Sequence, residues 1–269
     1  MTGTVNFRNS SVRYKVEGEG AEVVLLHGYL ESLDIWHKFS GELKKKFRVV
    51  SIDLPGHGHS GIIANAHSME IMAEAVNAVL DELNINKCIL VGHSMGGYVT
   101  MAFADLFPDR LYGYSLFHST PFADTEEKKQ NRNREIELVN KGKKELIFNT
   151  NVPKAFANNN LDKLKGEVER AIQIARNTAG EGIKAVLEGM KQRRDRSEIL
   201  SNSNIPVLII LGKKDNYIPF DVILDKIKIN DKGEIFILEN SGHMGFIEEA
   251  EESLIALTLF AEKCTGKQI

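Results

Sequence analysis

Hydrophobic positions form short continuous runs in some parts of the chain and follow a helical spacing in others. Runs such as Val23–Leu26 and Val207–Leu211 contain no polar position, which is typical of strands buried on both faces of a sheet. Between Ser68 and Leu83, apolar residues recur every three or four positions, which predicts an amphipathic helix with Ser68 as its N-cap. Strands and helices in this alternation predict a mainly parallel sheet covered by helices on both faces.

The predicted strands are short, and glycine, proline or aspartate follows several of them. They lie at Thr4–Arg8, Val12–Val16, Glu22–Leu26, Phe47–Ile52, Cys88–Val91, Leu111–Phe117, Pro206–Leu211 and Ile235–Leu238. Two further helices are predicted, at Ser94–Phe107 and Ile247–Lys263. The pattern therefore indicates the α/β class.

The alternation stops after the sixth predicted strand. Residues 121–200 show charged helical stretches and no convincing strand, so we expect a helical insertion between two core segments, 1–120 and 201–269. The insertion carries 17 Lys and Arg against 13 Asp and Glu, a local charge of +4, which leaves −7 for the remainder. The positive charge could attract an anionic substrate. The preferred interpretation is that it belongs to the ordinary solvated faces of charged helices.

Composition excludes several classes of protein. With 42% hydrophobic and 26% charged residues, the chain is too apolar to be disordered. Its two cysteines cannot form a disulfide framework, and no Cys/His cluster has zinc-like spacing, so we predict no metal site and a cytoplasmic location. No apolar run approaches the roughly 20 residues of a transmembrane helix, and the N-terminal residues lack a secretion signal. A net charge of −3 gives no general attraction to nucleic acid or anionic lipid.

A nucleophile motif follows the predicted strand Cys88–Val91. Gly92-His-Ser94-Met-Gly96 matches the pattern G-x-S-x-G between a strand and a helix, where side chains at 92 and 96 would collide with neighbouring backbone. Ser94 Oγ would stand above the sheet at a helix N-terminus, whose dipole favours developing negative charge. The similar stretch Gly58-His-Ser-Gly-Ile62 has isoleucine at the position of the second glycine and no preceding strand, so Ser94 is the predicted nucleophile.

A serine hydroxyl needs a base that takes its proton. His243 follows a predicted strand on a loop that leads into the last helix, and it is the predicted base. His118, directly after the sixth strand, is a candidate for lining the substrate pocket. The remaining histidines are assigned surface or structural positions: His27, His37, His57, His59, His67 and His93.

The base in turn needs an acid that fixes its tautomer. Asp215 lies on the loop after the strand Val207–Leu211, at the sheet edge where the sites of open α/β folds gather. Its competing interpretation is a cap for the helix that starts near Pro219. Asp53 holds a similar position, but Pro55 and Gly56 after it favour a role in turn architecture.

Two backbone N–H groups are predicted to hold an oxyanion. The residue after the nucleophile, Met95, supplies one, and Tyr29 on the loop after the third strand supplies the other. There is no Walker motif and no G-x-G-x-x-G after a strand, so we predict no cofactor.

These motifs together resemble the α/β-hydrolase family over nearly the whole chain outside the insertion. The matching segments are His27-Gly-Tyr29, Asp53-Leu-Pro-Gly-His-Gly-His-Ser60, Gly92-His-Ser-Met-Gly96, Gly212-Lys-Lys-Asp215 and Gly242-His243. The resemblance implies an eight-stranded, mainly parallel sheet, a helical cap inserted after strand six, and the triad Ser94, Asp215 and His243. Family members with an aspartate nucleophile are disfavoured because position 94 is serine.

The leading hypothesis is a cofactor-independent serine hydrolase acting on carboxylic esters or related small acyl compounds. The alternatives are hydrolysis of a carbon–carbon bond in a β-diketone-like substrate and a slow-turnover small-molecule sensor. The family's carbon–carbon hydrolases commonly carry a Trp just after the catalytic His, whereas Met244-Gly-Phe246 stands here, which weakens the first alternative. An apolar substrate pocket is predicted near Leu30, His118, Phe122, Ile218 and Met244.

Overall fold

A single sheet runs through the computed structural model, which describes residues 1–266. Its eight strands lie in the spatial order β1-β2-β4-β3-β5-β6-β7-β8. β1 pairs antiparallel with β2 and β2 with β4, and all other pairs are parallel. The strands are β1 (Thr2–Phe7), β2 (Ser10–Glu17), β3 (Glu22–Leu26), β4 (Arg48–Ile52), β5 (Cys88–His93), β6 (Leu111–Phe117), β7 (Val207–Gly212) and β8 (Gly233–Leu238). The predicted mainly parallel eight-stranded sheet is confirmed.

Helices cover both faces of this sheet and fill the connection between β6 and β7. They are α1 (His37–Leu43), α2 (Met69–Glu82), α3 (Met95–Leu106), α4 (Glu126–Asn140), α5 (Lys144–Ala155), α6 (Lys165–Arg176), α7 (Gly180–Gln192), α8 (Ser197–Asn202), α9 (Phe220–Lys226), α10 (Gly245–Glu248) and α11 (Ala250–Thr265). One apolar cluster joins α2 and α3 to the sheet, and a second joins α1 and α11 to it. The Ser68 hydroxyl caps α2 by accepting the Ile71 N–H, as the sequence predicts.

Two predicted boundaries are wrong, for local reasons. The sequence predicts a first strand that reaches Arg8, but Arg8 and Asn9 both have positive φ (50° and 61°) and form a two-residue hairpin turn between β1 and β2. The predicted helix Ile247–Lys263 is divided at Glu249, whose φ of −131° is not helical. The Glu249 carboxylate accepts the Asn240 N–H at 2.8 Å and so supports the loop before α10.

Five helices, α4 to α8, lie between β6 and β7, and this part of the described chain contains no strand. The division into a core of 1–120 and 201–269 and a cap of 121–200 stays a prediction, and its last three residues lie outside the described part of the chain. Among residues 1–266, no helix has the length and apolar character needed to cross a membrane.

Candidate active site

Ser94 occupies a strained turn between β5 and α3. Its φ is 51° and ψ is −113°, a backbone conformation that non-glycine residues rarely adopt and that surrounding contacts must hold. The Ser94 N–H donates to Phe117 O at 2.9 Å, and the Ser119 hydroxyl donates to Ser94 O at 2.7 Å. The end of β6 and the residues directly after it therefore fix the turn that presents the hydroxyl.

The two glycines of the motif are required by close backbone approach. A Cβ on Gly92 would overlap the carbonyl of Gly96, and a Cβ on Gly96 would overlap the carbonyl of Leu26 and lie 2.7 Å from that of His27. The structure therefore leaves no room for a side chain at either position, as the sequence predicts. The close backbone approach at Gly96 also places the first turn of α3 directly against the end of β3.

Ser94, His243 and Asp215 form one continuous hydrogen-bonded chain. The Ser94 hydroxyl lies 2.8 Å from His243 Nε2, and His243 Nδ1 lies 2.7 Å from Asp215 Oδ2. The carboxylate accepts the Nδ1–H, which leaves Nε2 free to accept the serine proton. The structure thus brings together all three residues predicted as nucleophile, base and acid.

Asp215 uses each carboxylate oxygen for a different purpose. Oδ1 accepts the N–H groups of Tyr217 at 2.7 Å and Ile218 at 2.9 Å, whereas Oδ2 faces His243. Burial alone would raise the pKa of Asp215, but His243 and His118 beside it hold the pKa well below its usual range. The carboxylate is therefore ionised while it orders its own loop.

Asp53, the competing acid, has a structural environment. Its carboxylate accepts the N–H of Leu33 at 2.7 Å and of His59 at 2.9 Å, and it lies 3.2 Å from the Arg13 guanidinium. The Ser60 hydroxyl of the rejected motif donates to Asp53 O at 2.6 Å. Both residues hold a turn, as the sequence indicates.

His118 lies beside Asp215 and is fully buried. Its Nε2 accepts the Gly245 N–H at 3.1 Å, and its Nδ1 is 3.5 Å from Asp215 Oδ2. Burial outweighs the attraction of Asp215 and lowers the pKa of His118 to about 4. No part of the ring is exposed, and its contact with substrate stays a prediction.

Among the described residues, His118, Asp215 and His243 place possible metal-ligating atoms within 4.8 Å of one another. A metal there would have to displace the hydrogen bonds to Ser94 and Gly245. These atoms are already engaged, since His243 contacts Ser94 and Asp215 and His118 accepts the Gly245 N–H.

The two segments that carry the predicted oxyanion donors, Tyr29 and Met95, pack close together. Met95 is the first residue of α3, and Gly96 after it packs against the backbone that leads into Tyr29. The Tyr29 hydroxyl donates to Glu135 Oε2 of α4 at 2.8 Å, so its side chain points toward the helices that follow β6. The donor role of the two N–H groups stays a prediction.

The remaining pocket candidates are mostly buried apolar residues. Leu30, Ile218 and Met244 are 3%, 4% and 2% exposed, and Phe122 is partly exposed. Leu30, Phe122 and Ile218 belong to the cluster that contains α3, whereas Met244 belongs to the cluster on the other side of the sheet. Their contact with substrate also stays a prediction.

Sequence reasoning did not find two neighbours of the site, Tyr217 and Glu31. The Tyr217 ring packs against His243 with centroids 5.3 Å apart, and its hydroxyl donates to the Asn151 carbonyl at 2.8 Å. Glu31 forms a buried contact with His93, which had been assigned a structural position. The sequence around Glu31 carries no motif that distinguishes it from an ordinary surface residue.

Known proteins agree with this architecture. The family model for the alpha/beta hydrolase fold matches residues 22–135. The dihydrolipoyllysine-residue acetyltransferase component of the acetoin cleaving system of Pseudomonas putida is 29% identical over 259 residues, which cover 93% of this chain and 66% of that protein. The chain therefore spans about two thirds of that relative's length.

A 2-hydroxy-6-oxononadienedioate/2-hydroxy-6-oxononatrienedioate hydrolase of Klebsiella pneumoniae is 28% identical, and the match covers 87% of this chain and 85% of that protein. Among solved structures, a thermophilic esterase from Thermogutta terrifontis superposes with a TM-score of 0.89 at 27% identity, over 95% of this chain and 94% of that one. The chain has the α/β-hydrolase fold. By this fold and these resemblances it is an α/β hydrolase.

Proposed function

We propose that this protein is a cofactor-independent serine hydrolase of carboxylic esters or related small acyl compounds. The observation that carries the proposal is the unbroken chain from Ser94 Oγ through His243 to Asp215, with contacts of 2.8 and 2.7 Å. The similarity to the esterase from Thermogutta terrifontis supports the choice of an ester bond.

Each step of the proposed reaction uses a group of this chain. Ser94 Oγ attacks the ester carbonyl while His243 Nε2 takes the hydroxyl proton. The tetrahedral oxyanion is held by the N–H groups of Tyr29 and Met95, each contributing about 3–4 kcal/mol of transition-state stabilisation. His243 then donates its proton to the departing alkoxide, and the acyl group remains on Ser94.

Water completes the cycle. His243 takes a proton from a water molecule that attacks the acyl carbonyl, and the same proton returns to Ser94 Oγ as the carboxylic acid leaves. Asp215 stays ionised throughout and stabilises the imidazolium, in keeping with its strongly lowered pKa. We propose no cofactor, because each proton and electron pair in these steps moves between Ser94, His243, water and the substrate.

Hydrolysis of a carbon–carbon bond in a β-diketone-like substrate is the second candidate. It is supported by the similarity to the 2-hydroxy-6-oxononadienedioate hydrolase of Klebsiella pneumoniae. The residue after His243 is Met244, where this group of enzymes commonly carries Trp, so we rank it below ester hydrolysis. A ring-cleavage product turned over much faster than any ester would reverse this order.

Ser94→Ala tests the proposal directly. Purified protein should hydrolyse p-nitrophenyl acetate and longer p-nitrophenyl esters, and the variant should lose activity by a factor of up to about 10⁶ in kcat. Ser11→Ala, which changes an exposed serine of β2, is the matched control and should retain wild-type kcat. Full activity in Ser94→Ala would refute the assignment, and tight ester binding without turnover in the wild type would favour a sensor.

We also propose a cytoplasmic location. Cys88 and Cys264 are free thiols, and burial raises the pKa of Cys88 to about 12, so that its reactive thiolate is suppressed. Unpaired thiols of this kind are usual in a reducing compartment. Fractionation of the source cells, with detection of the protein by antibody, would test the location.

A further inference from the structure

Glu31 and His93 form a buried polar pair beside the proposed triad, and no step of the reaction uses them. Glu31 is 8% exposed and His93 1% exposed. His93 Nδ1 lies 3.0 Å from Glu31 Oε2, and His93 Nε2 lies 2.8 Å from the carbonyl oxygen of His243. The pair therefore connects the residue before the nucleophile to the backbone of the base.

The contacts fix the protons on the His93 ring. A carbonyl oxygen only accepts, so Nε2 must carry a proton and donate it to His243 O. The contact between Nδ1 and Oε2 needs a second proton, and a carboxylate is the better acceptor. His93 is then a doubly protonated imidazolium paired with an ionised Glu31.

Glu31 also holds the loop that carries one proposed oxyanion donor. Its Oε2 accepts the Gly28 N–H at 2.6 Å, one residue before Tyr29. A Cβ at Gly28 would lie 2.9 Å from His93 Nδ1 and 3.0 Å from Glu31 Oε2, so only glycine leaves room for the pair. The same two side chains thus touch the Tyr29 loop, the Ser94 turn and the His243 loop.

We propose that Glu31 and His93 are a positioning pair that holds these three loops at their working distances during ester hydrolysis. The pair touches no reacting atom and acts through Gly28 and the His243 carbonyl. This inference rests on the proposed function, since it concerns the placement of the proposed nucleophile, base and oxyanion donor.

The surroundings of the pair favour its charged form. Burial by itself would lower the pKa of His93, but Glu31 outweighs burial and raises it; likewise His93 lowers the pKa of Glu31 against its burial. An aromatic shell excludes water, with the Phe246 ring 4.9 Å and the Trp36 ring 6.2 Å from His93 between centroids. The other titratable groups facing the pair are His27, His118, Asp215 and His243.

Three substitutions separate the contacts of the pair. Glu31→Gln preserves an acceptor for the Gly28 N–H and removes the charge. His93→Asn can still reach Glu31 but not the His243 carbonyl, whereas His93→Gln can reach the carbonyl but not Glu31. Glu42→Gln and His59→Gln, at exposed positions of α1 and of a surface turn, are the matched controls.

Steady-state kinetics with p-nitrophenyl acetate should show a fall in kcat of about 10- to 100-fold in each of the three variants, because small displacements of reacting groups have effects of this size. KM should change by less than about twofold, since no substrate contact is lost. The double variant Glu31→Gln/His93→Asn should lose no more activity than the less active of its two single variants, because both changes break one unit. Both controls should keep wild-type kinetics.

Two kinetic results would overturn the positioning pair. One is unchanged kcat in folded Glu31→Gln, and the other is a raised KM at constant kcat, which would indicate contact with substrate. Ser94→Ala, measured in parallel, separates the two claims: activity that survives in it refutes the proposed function, whereas activity lost in it but kept in Glu31→Gln refutes only the pair.

A measurement on the wild-type protein covers the case in which the variants fail to fold. ¹H–¹⁵N spectra of the histidine rings at pH 7 should show both nitrogens of His93 protonated. A neutral His93 ring with one unprotonated nitrogen would overturn the pair.

Discussion

At the scale of single residues, the site depends on which histidines carry charge. His118 and His93 both lie beside His243, with ring centroids 5.8 and 5.0 Å from it and 6.2 Å from each other. Burial lowers the pKa of His118 to about 4, whereas Glu31 raises the pKa of His93. Burial therefore favours the neutral form of His118, whereas Glu31 favours the charged form of His93, although both rings are buried.

The lowered pKa of His118 makes stability depend on pH. Between about pH 6.5 and pH 4 the unfolded chain binds a proton at this residue that the folded protein does not, so the free energy of unfolding falls as pH falls. From pH 7 to pH 5 we expect His118 to account for a loss of about 2 kcal/mol. Urea unfolding at the two pH values measures this loss.

His118→Gln should remove that part of the pH dependence, while an amide oxygen can still accept the Gly245 N–H. His59→Gln, at an exposed histidine, should keep the wild-type dependence. If the free energy of unfolding of His118→Gln fell between pH 7 and pH 5 as much as that of the wild type, the lowered pKa of His118 would not be the cause of the pH dependence.

At the scale of elements, the turn from β5 to α3 combines a strained serine with two glycines that leave no room for a side chain. Ser94 has φ of 51°, and a Cβ at Gly92 would overlap the Gly96 carbonyl and the Thr100 hydroxyl. Contacts from β6 and from Ser119 hold this conformation. The geometry of the proposed nucleophile is thus a property of the turn as well as of the serine.

Gly92→Ala should therefore destabilise the protein by about 3 kcal/mol, because overpacking forces backbone to move. It should also lower kcat, since Ser94 would be displaced from His243. Gly41→Ala in α1 is the matched control: a Cβ there meets nothing within 4 Å, and the change should stabilise the helix by about 0.5–1 kcal/mol. Thermal and urea unfolding measure both changes, and equal stability of the two variants would contradict this account of the turn.

The sequence predicted those elements whose pattern is local. Continuous apolar runs located the parallel strands, and the strand–turn–helix context located Ser94. The hairpin at Arg8 was missed because its apolar–polar alternation continues into a turn of positive φ. The break at Glu249 was missed because it depends on hydrogen bonds to Asn240 and Ser241 on a preceding loop.

The positioning pair could not be predicted from local pattern. Glu31 and His93 are 62 residues apart, and His93 is 150 residues from His243. The fold alone brings them into contact, and neither position differs in type from an ordinary surface residue. Single-sequence reasoning finds groups with a motif around them and misses those defined only by tertiary contacts.

At the scale of the whole molecule, the helices between β6 and β7 are tied to the loops of the site by polar contacts. Tyr29 donates to Glu135 of α4, and Asn151 of α5 donates to the same carboxylate at 2.8 Å. Asp124 is fully buried as a side chain and pairs with Arg193, whose guanidinium lies 3.9 Å from the centroid of the Tyr98 ring in α3. These contacts connect the helices to the loops that carry the predicted site, and enclosure of a substrate by them stays a prediction.

The central claim is that Ser94 carries the acyl group during turnover. Protein mixed with p-nitrophenyl acetate and quenched within the first turnover should contain one added acetyl group, which peptide mass spectrometry should locate on Ser94. The adduct should be absent from Ser94→Ala and present in Ser11→Ala. Rapid ester hydrolysis with no acetylated Ser94, or with the acetyl group on another residue, would contradict the proposed mechanism.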